Sequence, residues 1–199
     1  MNLKQIKKIV TISEGNSKLG TLPSVSLPPI VTCNRAAGCT KGGCYALNGF
    51  FRMPSVKMAY KKNLESFTRN SDLYFNAIDN WLKIKRPVFF RWHVAGDIPN
   101  KTYLDGMIAI AKKHKKIKFL AFTKKYNLLK YTIKQKNLAI IISSWPGLKL
   151  PGYKLPIAFM QDGNENRVNN AIECPGNCET CGMCWNLKRL NKNVVFYKH

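Results

Sequence analysis

Several things are missing from this chain. It has no run of eighteen or more apolar residues, so no helix is expected to span a membrane. Its start, "MNLKQIKKIVTISEG", carries lysines but no long apolar segment and no small-residue cleavage site. No secretory signal is therefore expected, and the protein is assigned to the cytoplasm. There is no internal repeat, low-complexity tract or clear linker. No glycine-rich phosphate loop of the strict spacing occurs. Ser143 and Ser144 lack an evident histidine and acid partner, which excludes a hydrolase triad there. No helix-turn-helix, zinc-finger or RNA-recognition signature is present. Acid is scarce as well: 10 Asp and Glu stand against 33 Lys and Arg, a formal charge of +23 over 199 residues.

That imbalance attracts polyanions, above all nucleic acid, through counterion release and long-range steering. DNA or RNA is thus an expected partner. The competing reading is a set of solvated lysine faces in a lysine-rich protein. At 45% hydrophobic the chain is ordinary for a globular protein with one real core.

What the chain does have is cysteine. Four of its seven lie in "ECPGNCETCGMCW", at Cys174, Cys178, Cys181 and Cys184, a C-x3-C-x2-C-x2-C spacing. Cytoplasmic thiols stay reduced, and an odd total is awkward for a paired framework, so metal binding is favoured over disulfides. Zinc sites usually use two well-separated C-x2-C pairs, whereas closely spaced thiolates are frequent around cubane clusters. Pro175 and Gly176 let the backbone curl round a bulky ligand. A [4Fe–4S] cluster is favoured, with zinc as the alternative metal. Cys33, Cys39 and Cys44 form a looser C-x5-C-x4-C loop. They either share one cluster with the tail or hold a second cluster with an open corner. Cys39 is the one of the three most open to being an ordinary buried residue.

The apolar pattern alternates between short β-rich runs and helices. "SVSLPPIVTC", "PVFFRWHVAGD", "KIKFLAFT", "LAIIISS" and "PIAFMQD" read as strands. "MPSVKMAYKKNLESFTRN", "DLYFNAIDNWLKI", "NKTYLDGMIAIAKKHK" and "KKYNLLKYTIKQK" read as helices. This predicts an α/β fold of parallel strands with crossover helices, a partial or compact TIM-like barrel. An open, doubly wound sheet is the runner-up. The barrel-like domain is placed at residues 1–170 and a cysteine-rich tail, packed on it, at 171–199.

In such folds functional groups gather at the carboxyl ends of strands. The rule selects the loop after Thr32, then His93, Gly96 and Asp97, then Thr123 and Lys124, Ser143 and Ser144, and Gln161 with Asp162. The rim and the cysteines are expected to face one shared site. His93 alternates with Arg91, so both are expected to point into the cavity, opposite Trp92. His93 there shuttles protons or binds a ligand, or else is a hydrogen-bonded structural histidine. Lys124 is a candidate for a phosphate or carboxylate. The aromatics Tyr45, Phe50, Phe51 and Trp145 either stack bases or pack beneath the cysteine loop. Trp185 is expected to shield a cluster from water.

Taken together, "SLPPIVTCNRAAGCTKGGCYA", "FRMPSVKMAYKKNLESF", "FRWHVAGDIPNKTYLDGMIAIA", "FLAFTKK" and "CPGNCETCGMCWNLKRLNKNVVFYKH" resemble the small phage proteins called gene product eighty-eight. That family is similar to a shortened radical S-adenosylmethionine barrel. The resemblance implies a phage or mobile-element origin and a cysteine-bound cluster. It also implies that Cys33, Cys39 and Cys44, followed by Tyr45, correspond to the loop that binds the first cluster, although the C-x5-C-x4-C spacing departs from C-x3-C-x2-C. Gly96 and Asp97 then occupy the turn that holds the amino group of S-adenosylmethionine, and the C-terminal cysteines correspond to an auxiliary cluster. Two functions follow as expectations. One is a radical-type iron–sulfur enzyme acting on nucleic acid or a nucleotide, with Asp97 and His93 as catalytic residues and Gly96, Asp97, Tyr45 and Lys124 holding cofactor. The other is a non-catalytic nucleic-acid-binding protein with a structural metal, serving replication or regulation.

Overall fold

The computed structural model describes residues 1–16, 18–41, 43–130, 135–161 and 168–197. The chain opens with helix α1 (Leu3–Ile9), started by a reciprocal cap in which Asn2 and Gln5 satisfy each other's backbone N–H groups. Two short strands follow, β1 (Ile12–Ser13) and β2 (Ser24–Val25). The long helices α2 (Pro54–Arg69) and α3 (Ser71–Lys85) then precede β3 (Phe89–Trp92). Pro54 sits in the first turn of α2, where its missing N–H costs nothing. Next come α4 (Lys101–Lys113), β4 (Lys118–Thr123), β5 (Leu138–Ser143) and β6 (Ile157–Gln161). The tail holds β7 (Ala171–Glu173), the short helices α5 (Cys178–Cys181) and α6 (Leu187–Leu190), and β8 (Asn193–Tyr197).

All eight strands form one sheet in the order β1-β2-β3-β4-β5-β6-β8-β7. Every neighbouring pair is parallel except β1 with β2. From β2 to β6 the strands lie in chain order, without the reversal that defines a doubly wound sheet. Nor is the sheet closed, since no pairing among the described residues joins β1 to β7. The expected α/β fold of mostly parallel strands forms, as an eight-stranded sheet that is not closed into a barrel. Its first edge is capped by a two-residue antiparallel partner, and the other ends in three-residue β7. The tail does not merely pack on the sheet, because β7 and β8 are part of it.

The two faces differ sharply. Phe90 and Trp92 of β3, Phe119 and Ala121 of β4, and Ile140 and Ile142 of β5 share a buried cluster with α1, α3 and α4. Helices bury this face and the tail buries the other, which is why the strands are near-continuous apolar runs. Asn63 of α2 ties the N-terminal hairpin to this layer. It accepts from Thr11 N–H at 2.7 Å and donates to the Thr11 and Ser26 carbonyls at 2.9 Å each. The opposite face gathers Phe89, Leu120, Phe122, Ile141, Ala158 and Val194, and it is covered by Leu19, Leu22, Trp185 and Leu187. Residues 183–186, a turn of 3-10 helix, pack directly on β4 and β5. A cysteine-bearing tail thus fills the side that a closed barrel would enclose.

Of the expected elements, the helix over "KKYNLLKYTIKQK" is found as a single 3-10 helix at Tyr126–Lys130, and residues 131–134 lie outside the described residues. "SVSLPPIVTC" is a strand only at Ser24–Val25, because Pro28 and Pro29 cannot donate to a neighbouring strand.

Candidate metal centres

All seven cysteines are free. They fall into two sets at different heights on the sheet. The first set follows β2. Ile30 takes a left-handed backbone, φ 66°, and Cys33 N–H closes the turn onto its carbonyl at 3.3 Å. A short 3-10 helix, Gly38–Lys41, carries Cys39, and Cys44 precedes another at Tyr45–Leu47. Burial pushes the Cys33 thiol up to about 11, with the Asp97 carboxylate adding to it and Cys44 and Cys39 contributing further. Cys39 is also raised by burial, against which the Lys124 cation works. The three thiols thus share one electrostatic neighbourhood with Asp97 and Lys124, at the carboxyl ends of β3 and β4.

The rim around this loop is tightly tied. Thr123 Oγ1 donates to Asp97 Oδ1 at 2.6 Å, Ile98 N–H to the same oxygen at 2.7 Å, and Lys124 N–H to Oδ2 at 2.8 Å. Asp97 N–H donates to Thr32 Oγ1 at 3.0 Å. Asp97 is buried, and burial raises its carboxyl while these bonds oppose the rise. Both of its oxygens are engaged in holding strand ends together. Gly96 has φ 79°, and a Cβ there would stand 2.5 Å from the Leu27 carbonyl oxygen. Only glycine allows that approach. Trp145 lies over the loop, its ring edge within 2.9 Å of where a Cβ on Gly38 would stand. Lys124 Nζ is 5.4 Å from the Trp145 ring centroid. Tyr45 leaves most of its ring exposed, at 62%, while its hydroxyl turns inward and donates to the Val94 carbonyl.

The second set lies against the covered face rather than at the rim. Cys174 N–H donates to Val195 O and Cys178 N–H to Lys18 O, both at 2.9 Å. The Thr21 hydroxyl donates to the Glu179 carboxylate, which pins α5 to the N-terminal hairpin. Trp185 packs on Phe89, the first residue of β3, with ring centroids 4.8 Å apart. Burial pushes the Cys184 thiol up to about 12, reinforced by Cys174 and Cys178 and then offset by Arg91. Burial raises Cys178 too, with Arg91 the largest opposing influence. Cys174, Cys178, Cys181 and Cys184 therefore form one electrostatic neighbourhood. The first set belongs to the rim, and the second lies against the covered face, where Trp185 packs on Phe89 at the start of β3.

Arg91 lies near the second set, where its charge acts on Cys178 and Cys184. It is 8% exposed, its guanidinium carbon is 5.0 Å from the Phe122 ring centroid, and its Nε has no hydrogen-bond partner. No carboxylate among the described residues forms an ion pair with it. Its positive charge is felt by Tyr45 on one side and by Cys178 and Cys184 on the other. His93 does not join it. A left-handed backbone at His93, φ 59°, breaks the strand alternation and turns the ring toward the helices. There Nε2 lies 3.2 Å from the Tyr103 hydroxyl, which in turn lies 3.1 Å from that of Tyr74. Burial, then the Arg91 charge, lower His93 to about 3, so its ring is neutral. It is a buried, hydrogen-bonded histidine in the helix layer.

Ser143 gives its carbonyl to the Tyr126 hydroxyl at 2.6 Å, Gln161 is buried in β6, and Asp162 lies outside the described residues. Sequence reasoning missed Lys18, Thr21 and Glu179. Arg91 left a signal that it used only in part, a charge inside the otherwise apolar run "FFRW". Among the described residues, no three His, Cys, Asp or Glu side chains stand close enough to hold one metal ion as placed.

With this geometry in hand, comparison with known families is informative. The Gene product 88 family matches residues 1–147. The chain belongs to this phage protein family. The matched stretch carries Cys33, Cys39 and Cys44 and runs through β5, and it ends before the second cysteine set. No curated protein and no solved structure matches the chain. No helix among the described residues is long and apolar enough to cross a membrane.

Proposed function

We propose that this member of the family is an iron–sulfur protein with two cysteine-held centres, the first of which does one-electron chemistry of the radical S-adenosylmethionine kind. The observation that carries the reading is Arg91. A buried cation without an anionic partner costs several kcal/mol, and the charge of this one acts on Cys178 and Cys184 of the second set. Four thiolates around a zinc ion or a [4Fe–4S] cluster leave a net charge of about −2. Arg91 and Lys18, the two cations beside Cys178, match that charge. The donor set, its apolar wall and its counter-charge all fit a thiolate metal centre held by Cys174, Cys178, Cys181 and Cys184.

The first set fits a cluster with one open corner. It offers three thiols, Cys33, Cys39 and Cys44, at the carboxyl end of a sheet whose parallel strands run in chain order. Bound there, a cluster supplies the electron that reductively cleaves a sulfonium such as S-adenosylmethionine. The chain's own residues do the rest. Asp97 and Gly96 hold the loop after β3 against Thr32 and Leu27, Lys124 places a cation beside Cys39, and Trp145 and Tyr45 limit water over the loop.

Anaerobic purification followed by iron and acid-labile sulfide analysis tests this. Two cubane centres give about eight irons per chain. Cys178→Ser with Cys184→Ser is expected to remove about half of the iron, and Cys33→Ser with Cys44→Ser the other half. Adding S-adenosylmethionine is expected to change the paramagnetic spectrum of the reduced protein only while the first set is intact. Zinc without sulfide sinks the iron–sulfur reading. A second reading, a non-catalytic nucleic-acid-binding protein with structural metal, is favoured by one observation: three donors of the chain already take Asp97, two on Oδ1 and one on Oδ2, leaving a single acceptor position for a cofactor. Iron that never responds to S-adenosylmethionine supports it.

A further inference from the structure

A cleft of about 620 Å³ opens beside the first cysteine loop. Three loops wall it: the segment from Val31 to Arg35, the segment from Pro99 to Lys101, and the turn from Lys125 to Leu128. Each loop contributes one cation, Arg35, Lys101 and Lys125, and no acidic residue lines it. The nearest carboxylates are accounted for. Asp97 lies behind the floor with both oxygens bonded to Thr123, Ile98 and Lys124. Asp105 pairs with Lys101 one turn into α4, at 2.5 Å. The side chains of Arg35 and Lys125 have neither a hydrogen bond nor an ion pair among the described residues.

We infer that this cleft binds a phosphate-bearing ligand and presents it to the cysteine loop. Arg35 and Lys125, on separate loops and without an ionic partner among the described residues, face one open space beside the Asp105-paired Lys101, and an anion there relieves their mutual repulsion. Arg35 supplies a planar fork suited to two phosphate oxygens, and the lysines supply point charges. The floor is rigid, since Tyr126 is tied to the Ser143 carbonyl and Asn34 to the Lys124 carbonyl at 2.9 Å. Cys33 itself lines the cleft, so a phosphate held there places the rest of the ligand against the first thiol set. Binding stands on the cleft alone. Presentation to a reactive centre rests on the reading of Cys33, Cys39 and Cys44 given above. The phosphate belongs either to a nucleic-acid strand or to a free nucleotide.

Fluorescence anisotropy of the full chain with a labelled single-stranded oligonucleotide tests the inference, with a nucleoside triphosphate and inorganic phosphate as competitors. Arg35→Gln with Lys125→Gln is expected to weaken strand binding tenfold or more and to lower the salt slope by about 1.4. Lys115→Gln with Lys116→Gln, in the turn before β4 at the other end of the sheet, removes the same charge and is expected to leave binding within twofold. Equal losses in both double variants mean diffuse charge attraction and overturn the cleft. So does no loss in either, or wild-type protein that binds none of the three probes. Tight triphosphate binding that the cleft variant abolishes, with weak strand binding unaffected, assigns the cleft to a nucleotide. Iron content measured on the same samples separates the two ideas. A cleft variant with full iron and lost binding supports the cleft, and a wild type without iron that still binds through Arg35 and Lys125 removes only the claim of presentation.

Discussion

Thr123 donates its hydroxyl proton to Asp97 Oδ1 at 2.6 Å, which joins the end of β4 to the loop after β3. With Ile98 N–H and Lys124 N–H on the same carboxylate, Asp97 is the buried knot of the rim. Asp97→Asn replaces one acceptor by a donor, and Asp97→Ala strands three donors. Losses of about 1–3 kcal/mol for Asn and about 3–5 kcal/mol for Ala are expected in urea unfolding of the apoprotein. If Asp97 instead serves mainly a bound cofactor, the Asn variant keeps native stability and loses only ligand binding.

Arg91 leads to a prediction with a change of sign. In the apoprotein its buried, unpaired charge is a burden, and Arg91→Met keeps the volume while removing it. The apo form of the variant is expected to be more stable by about 1–3 kcal/mol. The metal-loaded form is expected to be worse off, losing metal to a chelator several-fold faster than wild type, because the dianionic centre has lost its counter-charge. Unfolding curves with and without metal, and the rate of metal release, read both signs. An Arg91→Met chain destabilised equally in both forms shows that Arg91 only packs.

Much of this arrangement was legible in the residues, and the failures have physical causes. Strands β4 and β5 are continuous apolar runs buried on both faces, and helices α2, α3 and α4 carry periodic faces with Pro54 or Asn caps, so pattern alone finds them. The grouping of cysteines into a loop and a tail is also plain from spacing. What spacing cannot tell is height on the sheet. Whether Cys184 lies at the rim or near Phe89 depends on β8 pairing in parallel with β6, a contact distant in sequence. Strand β8 is not among the strands that the sequence pattern predicts, although Val194 and Val195 are buried in the core. His93 was misdirected for a local reason. Alternation holds through Trp92, then φ 59° reverses it, a backbone state that its sequence does not announce.

Gly96 makes that reversal possible by letting the loop pass Leu27. Gly96→Ala meets a positive φ of 79° and a carbonyl oxygen 2.5 Å from the new methyl. A loss of about 2–4 kcal/mol is expected, seen as a Tm lower by about 5–12 °C. Iron bound by the second cysteine set is expected to survive in this variant and iron bound by the first set to fall, since the strain is transmitted to Thr32 and Cys33. Equal loss from both sets means the whole sheet has yielded.

His93 provides the pH test. Its folded pKa is about 3 against an ordinary value of 6.5, because burial and then Arg91 disfavour the charged ring. Between those values the unfolded chain binds a proton that the folded chain does not. Stability contributed by the neutral ring is therefore complete above about pH 6.5 and is lost as pH falls toward 3, at up to about 1.4 kcal/mol per pH unit. His93→Asn accepts the left-handed backbone and does not titrate. Urea midpoints of the two apoproteins at pH 7, 6 and 5 are expected to converge or cross as the wild type weakens faster. Comparing the pair cancels the carboxylates. Asp79 in particular acts only at lower pH: burial raises it, but the bonds from Lys83 and His114 outweigh this and hold it below its ordinary value. Parallel curves across that range would mean that His93 binds its proton as readily in the folded chain as in the unfolded one, and the ring would then have to reach solvent rather than lie buried against Tyr103.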